Sequence, residues 1–282
     1  MIPNVIELNS SQLLPCRRVG VGTPLVLVHG YLGGSSQWDA QLPLLSQHFE
    51  VVTVDLAGYG LANHLAAPTD LAGHARNVLA TLDHMGMERF HLLGHSMGGM
   101  VVQEITRQAP HRVSKLVLYA TGPLGSIPGR FETMSRSRER LKDDGVQSTA
   151  RRICATWLLD REASPAFEAL AALATQASEQ AASAGLSAME SWDGREHLTR
   201  IAQPTLIIWG EGDRTYGWSQ IELLWRRIPR ASLAVLPACA HALHLERSAL
   251  FCTLLVEFLA PDESTQLTQA GLPKTNRGTQ HS

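Results

Sequence analysis

Short runs of β-branched and other apolar residues recur along the chain: PLVLVHG (24–30), FEVVTVD (49–55), RFHLLGH (89–95), SKLVLYA (114–120), QPTLIIWG (203–210) and ASLAVLP (231–237). Most lack alternation of apolar and polar positions, the pattern of strands covered on both faces in a parallel sheet. Between many of them the apolar period lengthens to that of a helix. Met97, Val101, Ile105 and Ala109 recur every fourth position before Pro110, which predicts a helix over 97–109. Leu250, Leu254 and Phe258 predict another over 246–259, with Phe251, Leu255 and Leu259 beside them. Strands alternating with helices predict an α/β protein with a mostly parallel, doubly wound sheet.

The alternation breaks once. Between Gly122 and Gln203 no strand pattern occurs, and AFEALAALATQASEQAAS (166–183) places Leu170, Leu173, Ala174, Ala177 and Ala181 on one helical face. GPLGSIPG opens this block and Pro204 follows it, both turn signals. The predicted organisation is a core of residues 1–121 and 204–262, a helical cap at 122–203 inserted between two strands, and a disordered tail at 263–282. Such an insertion would cover the crevice at the C-terminal strand ends, where open α/β sheets bind ligands.

The chain of 282 residues, 44% hydrophobic, suffices for one large core plus a cap. Its formal net charge of -2 argues against a nucleic-acid partner. No apolar run approaches the roughly 20 residues of a membrane helix, and no secretory signal opens the chain. The expected location is the cytoplasm and the expected partner a small-molecule substrate. The four cysteines, Cys16, Cys154, Cys239 and Cys252, are scattered without metal-type spacing and read as small buried hydrophobes. The twelve histidines include no HExxH, and Gly98-Gly99 precedes no Lys-Ser/Thr, so neither a metal nor a phosphate-bearing cofactor is implied.

One stretch carries chemistry. In HLLGHSMGGMVVQ (91–103), Gly94-His95-Ser96-Met97-Gly98 fits G-x-S-x-G at the junction of a predicted strand and helix. A sharp turn there strains the serine backbone and lifts its hydroxyl out of the sheet, and glycines on either side relieve the crowding. The following amides belong to a helix start and favour negative charge. Such a serine needs a base and an orienting carboxylate. Asp213 stands just beyond the strand TLIIWG, and His241 and His244 follow the strand ending at Leu236. Asp193 and Glu211 are weaker candidates for the acid. His29 and Asp55, both at strand ends, read as loop-shaping residues, and His95 is expected to point away from the serine.

These pieces resemble the α/β-hydrolase fold family over about residues 12–260: HGYLGGSSQW (29–38), DLAGYG (55–60), GHSMGG (94–99), PTLIIWGEGD (204–213) and AHALHLE (240–246). The resemblance implies Ser96 as nucleophile, Asp213 as acid, His241 as base, and the backbone N–H groups of Tyr31 and Met97 as the oxyanion hole. Ala240 stands where the family usually has glycine before the base. Family members that open epoxides or carbon–halogen bonds carry aspartate in place of Ser96, which disfavours those reactions. The cap sequence is similar to the enol-lactone and carboxylic-ester hydrolase branch. The dienoate carbon–carbon hydrolases often have tryptophan where this chain has Ala242. The implied activity is hydrolysis of a small carboxylic ester or lactone through an acyl-enzyme. Carbon–carbon hydrolysis, acyl transfer and slow-turnover ligand sensing stand as alternatives. The cap arginines Arg130, Arg136, Arg138, Arg140, Arg151 and Arg152 are expected either to meet a substrate carboxylate or to line a solvated face.

Overall fold

A computed structural model of the protein describes residues 4–6, 13–126 and 132–260. The tail at 263–282 and Arg130 lie outside them. The strands are β1 (Asn4–Ile6), β2 (Cys16–Val19), β3 (Pro24–Val28), β4 (Glu50–Val54), β5 (Phe90–His95), β6 (Val113–Tyr119), β7 (Thr205–Gly210) and β8 (Ala231–Leu236). They form one eight-stranded sheet in the order β1-β2-β4-β3-β5-β6-β7-β8. Pairing is parallel from β4 through β8, while β1–β2 and β2–β4 are antiparallel.

The unalternating runs follow from burial on both faces. Val26 and Val28 point into one core with Val52, Leu92 and Leu116, whereas Leu25 and Leu27 point into another with Val51, Leu93 and Val117. The two N-terminal strands carry no such signal. In CRRV, Arg17 and Arg18 alternate poorly with apolar positions, and the strand is held by pairing to β4 and by ion pairs of Arg17 with Asp39 and Arg18 with Glu50.

The helices are α1 (Leu42–Leu45), α2 (Leu71–His84), α3 (Met97–Gln108), α4 (Met134–Trp157), α5 (Phe167–Ala174), α6 (Glu179–Glu190), α7 (Trp218–Arg227), α8 (Leu243–Glu246) and α9 (Ser248–Leu259). The single helix expected over 166–183 is two. The Ser178 hydroxyl accepts the Ala181 N–H at 3.1 Å and starts α6, an N-cap inside an apolar periodicity that otherwise reads as continuous. The last helix also differs from expectation. It begins after a break at Arg247, and its buried stripe is Phe251, Cys252, Leu255 and Leu259, with Leu250 exposed. Both stripes are apolar in sequence, and the position of β6 and α1 decides which turns inward.

Helices α4, α5 and α6 all lie between β6 and β7, and α4 bends where Gly145 adopts φ 74°. Their entry and exit segments run side by side: Gly125 donates to the Trp192 carbonyl at 3.1 Å and Gly194 to that of Pro123 at 2.8 Å. The block packs on loops at the C-terminal strand ends. Tyr31 and Tyr59 each donate a hydroxyl hydrogen bond of 2.9 Å into α6, to the carbonyls of Ala182 and Ala181. Gly185 permits this approach, because a β-carbon there would lie 2.4 Å from the Tyr59 hydroxyl.

Candidate active site

Ser96 joins β5 to α3 with φ 55° and ψ -119°, a strained conformation for a residue with a side chain. The space behind it belongs to backbone. A β-carbon on Gly98 would sit 2.3 Å from the His29 carbonyl oxygen, and one on Gly94 would sit 2.3 Å from that of Gly98. Thr121 donates to the Ser96 carbonyl at 2.7 Å, and the Ser96 N–H donates to Tyr119 at 3.0 Å. The serine hydroxyl caps nothing in the helix that follows. Met97 is the first residue of α3, where the N–H groups have no partner within the helix.

The loop after β3 lies against this serine: a β-carbon on Gly30 would come 3.0 Å from that of Ser96. His29 shapes the loop. Its Nδ1 donates to the Gly30 carbonyl at 2.8 Å, which leaves Nε2 to accept the Leu56 N–H at 2.9 Å. Burial holds its pKa below the ordinary value, although neighbouring Asp55 pulls upward. Asp55 accepts both the N–H and the hydroxyl of Ser35 at 2.7 Å, fixing the turn from the other side.

Asp213 and His241 meet although 28 positions apart. His241 Nδ1 lies 2.9 Å from Asp213 Oδ2, with both side chains fully buried. Asp213 Oδ1 accepts the N–H groups of Thr215 (2.7 Å) and Tyr216 (3.2 Å), so the carboxylate is held at both oxygens. With Oδ2 as acceptor, His241 carries its proton on Nδ1. Its Nε2 is then a bare acceptor, buried and without a hydrogen-bond partner. Orphaned buried groups are rare and call for an explanation. The ring packs against His95, Trp157 and Tyr216, at centroid distances of 4.7, 5.6 and 5.8 Å.

The other candidates fall elsewhere. His95 donates from Nε2 to the His241 carbonyl at 3.2 Å, and burial keeps it neutral. His244 places Nδ1 2.8 Å from the Tyr119 hydroxyl, with no carboxylate behind it, and burial pushes its pKa down to about 3. Asp193 pairs with Arg195, and Glu211 accepts the Ala238 N–H, so neither reaches His241. Arg136, Arg138, Arg140, Arg151 and Arg152 pair with Glu139, Glu190, Glu132, Glu168 and Glu132. These arginines are matched within the protein. Cys239, near His241, is a buried thiol whose pKa burial raises to about 11. Among the described residues no three His, Cys, Asp or Glu side chains gather as metal ligands would. None of their helices is long and apolar enough to cross a membrane.

Three contacts at this site carry no sequence signal of their own. Tyr119 donates to the His241 carbonyl at 2.9 Å, and Glu246 and Arg214 bind the neighbouring loops. Glu246 lies within AHALHLE and Arg214 follows the acid, but only the folded loops show what each one binds.

A family model described as alpha/beta hydrolase fold matches residues 23–248 of the chain. The chain belongs to that family and is a hydrolase of the α/β fold. It is 31% identical to the pimeloyl-[acyl-carrier protein] methyl ester esterase of Nitrosomonas europaea, over 79% of this chain and 90% of that one. It is 32% identical to the dihydrolipoyllysine-residue acetyltransferase component of the acetoin cleaving system of Pseudomonas putida, over 84% of this chain. There it spans only 64% of the relative's length. A crystal structure of a hydrolase from Pseudomonas aeruginosa PA01 is similar with a TM-score of 0.80 and 29% identity, covering 92% of this chain and 99% of that one.

Proposed function

We propose that Ser96, His241 and Asp213 act as a catalytic triad that hydrolyses a small-molecule carboxylic ester or lactone, beneath a cap formed by residues 122–203. The observation that carries this reading is the buried His241 Nε2, without a partner while Nδ1 is held by Asp213. Nε2 takes the proton of the Ser96 hydroxyl as its oxygen attacks the substrate carbonyl. The tetrahedral oxyanion is held by the N–H groups of Tyr31 and Met97. When the C–O bond to the leaving alcohol breaks, His241 returns the proton to that alcohol and an acyl-serine remains. Water, deprotonated by the same Nε2, attacks the acyl carbonyl; the acid leaves and Ser96 regains its proton. Asp213 holds the tautomer and stabilises the imidazolium without itself being protonated.

The ester preference is supported by the similarity to the pimeloyl-[acyl-carrier protein] methyl ester esterase. The test is a panel of nitrophenyl esters and lactones assayed with the protein and with Ser96→Ala. Turnover is expected for the first and a loss of at least about 1000-fold for the second. Equal rates would overturn the assignment. Adding an alcohol to the same assay separates hydrolysis, which yields the free acid alone, from acyl transfer, which yields the new ester.

A further inference from the structure

The end of α4 is stitched to both loops that carry the proposed acid and base. The Trp157 carbonyl accepts the N–H of Ala242 at 2.9 Å, and the Trp157 ring lies against that of His241. Glu246 spans the gap: Oε2 accepts the Ala240 N–H at 2.7 Å and Oε1 accepts the Leu159 N–H at 2.6 Å. Both neighbours of His241 are therefore tied to residues 157–159, one directly and one through a single carboxylate. On the acid side, Arg214 donates to the carbonyls of Leu158 (2.8 Å) and Leu159 (3.1 Å). Leu158 is the C-cap of α4, where orphan carbonyls and the negative helix end attract a guanidinium. A charged acceptor for two N–H groups and a charged donor to two carbonyls are stronger than neutral contacts.

We infer that Glu246 and Arg214 are positioning residues, which align His241 with Asp213 by fastening both loops to Trp157–Leu159 of the inserted block. The inference rests on the triad proposed above. The geometry distinguishes it from general scaffolding, because each side chain bridges a loop next to a triad residue and the same three-residue segment. Misplacing a reacting group by about 1 Å costs on the order of 100-fold. Loss of either clamp therefore lowers kcat without a matching rise in KM.

The test compares Glu246→Gln, Glu246→Ala, Arg214→Met and Arg214→Lys with a Glu222→Gln control, whose carboxylate pairs with Arg226 on α7. Readouts are kcat and KM, the pH profile of kcat/KM, the rate of Ser96 labelling by a fluorophosphonate, and the low-field proton resonance of His241 Nδ1–H. Expected are a fall of roughly 10- to 100-fold in kcat and labelling rate, KM within about twofold, a shifted acid limb, a broadened resonance and partial rescue by lysine. Arg214 is exposed, so its variants keep the test valid if Glu246→Ala fails to fold. Folded variants with unchanged kcat, pH profile and resonance would overturn the inference. If the unaltered protein resists fluorophosphonate, the triad reading fails instead. The resonance, which reports only the His241–Asp213 pair, then still decides whether the clamps position it.

Discussion

The hydroxyl of Tyr119 donates to the backbone carbonyl of His241 over 2.9 Å and accepts the His244 N–H at 3.1 Å, tying the middle of the sheet to the loop that carries His241. The tautomers follow: with its proton on the His241 carbonyl, the phenol accepts from His244 Nδ1–H as well. Tyr119→Phe leaves the His241 carbonyl with His95 alone and strands two donors of His244. The expected cost is about 1–3 kcal/mol of stability, read by urea denaturation. A variant as stable as the parent would show that the network bears no load.

Asp213→Asn is expected to preserve the fold and abolish most turnover. The asparagine carbonyl can keep the Thr215 and Tyr216 N–H groups, but its amide then faces His241 Nδ1 as a donor. The imidazole proton moves to Nε2, the wrong nitrogen for a base, with a loss in kcat on the order of 10,000-fold. Steady-state kinetics beside a thermal melt check both halves.

Two glycines, neither with a left-handed backbone, isolate the effect of crowding. Gly98→Ala would put its β-carbon 2.3 Å from the His29 carbonyl and 2.5 Å from that of Val28, both immovable backbone. Gly217→Ala meets nothing within 4 Å. The first is expected to lose more than about 3 kcal/mol or to fail to fold, the second to change by less than about 0.5 kcal/mol. Melting temperatures of the pair suffice to test this.

Acid should unfold the protein through its buried imidazoles. Burial pushes His74 and His91 down from 6.5 to about 4, and His244 to about 3. Below pH 6.5 the unfolded chain takes up protons that the folded chain does not, so stability is full above that value and is lost as pH falls toward 4. His74, whose ring is buried, accounts for on the order of 3 kcal/mol of that loss. His74→Leu should flatten the stability difference between pH 7.5 and pH 4.5. An undiminished difference would mean that other groups cause it.

The central strands and the serine turn were legible because each is a local pattern: a doubly buried run, then glycines spaced around a serine. Asp213 and His241 were legible as polar residues just beyond strand ends, and their pairing is what the fold adds. What escaped was set by distance. Strand β2 is held by β4 and β1 in turn by β2, the split at Ser178 depends on one hydroxyl, and the inward face of α9 depends on what it packs against. The clamping roles of Glu246 and Arg214 arise only when Leu159, far away in sequence, comes to rest beside them.

The paired segments at Pro123–Gly125 and Trp192–Gly194 make the helical block leave and re-enter the sheet through one narrow gate. The entropy cost of closing a loop between such near ends rises only slowly with its length, by about 0.6 kcal/mol per doubling. Another segment with ends equally close can be grafted there while β6 and β7 stay in place. On the proposed reading, such a graft exchanges the cover over Ser96, provided that the replacement brings its own counterpart of Trp157–Leu159 to grip the two loops beneath.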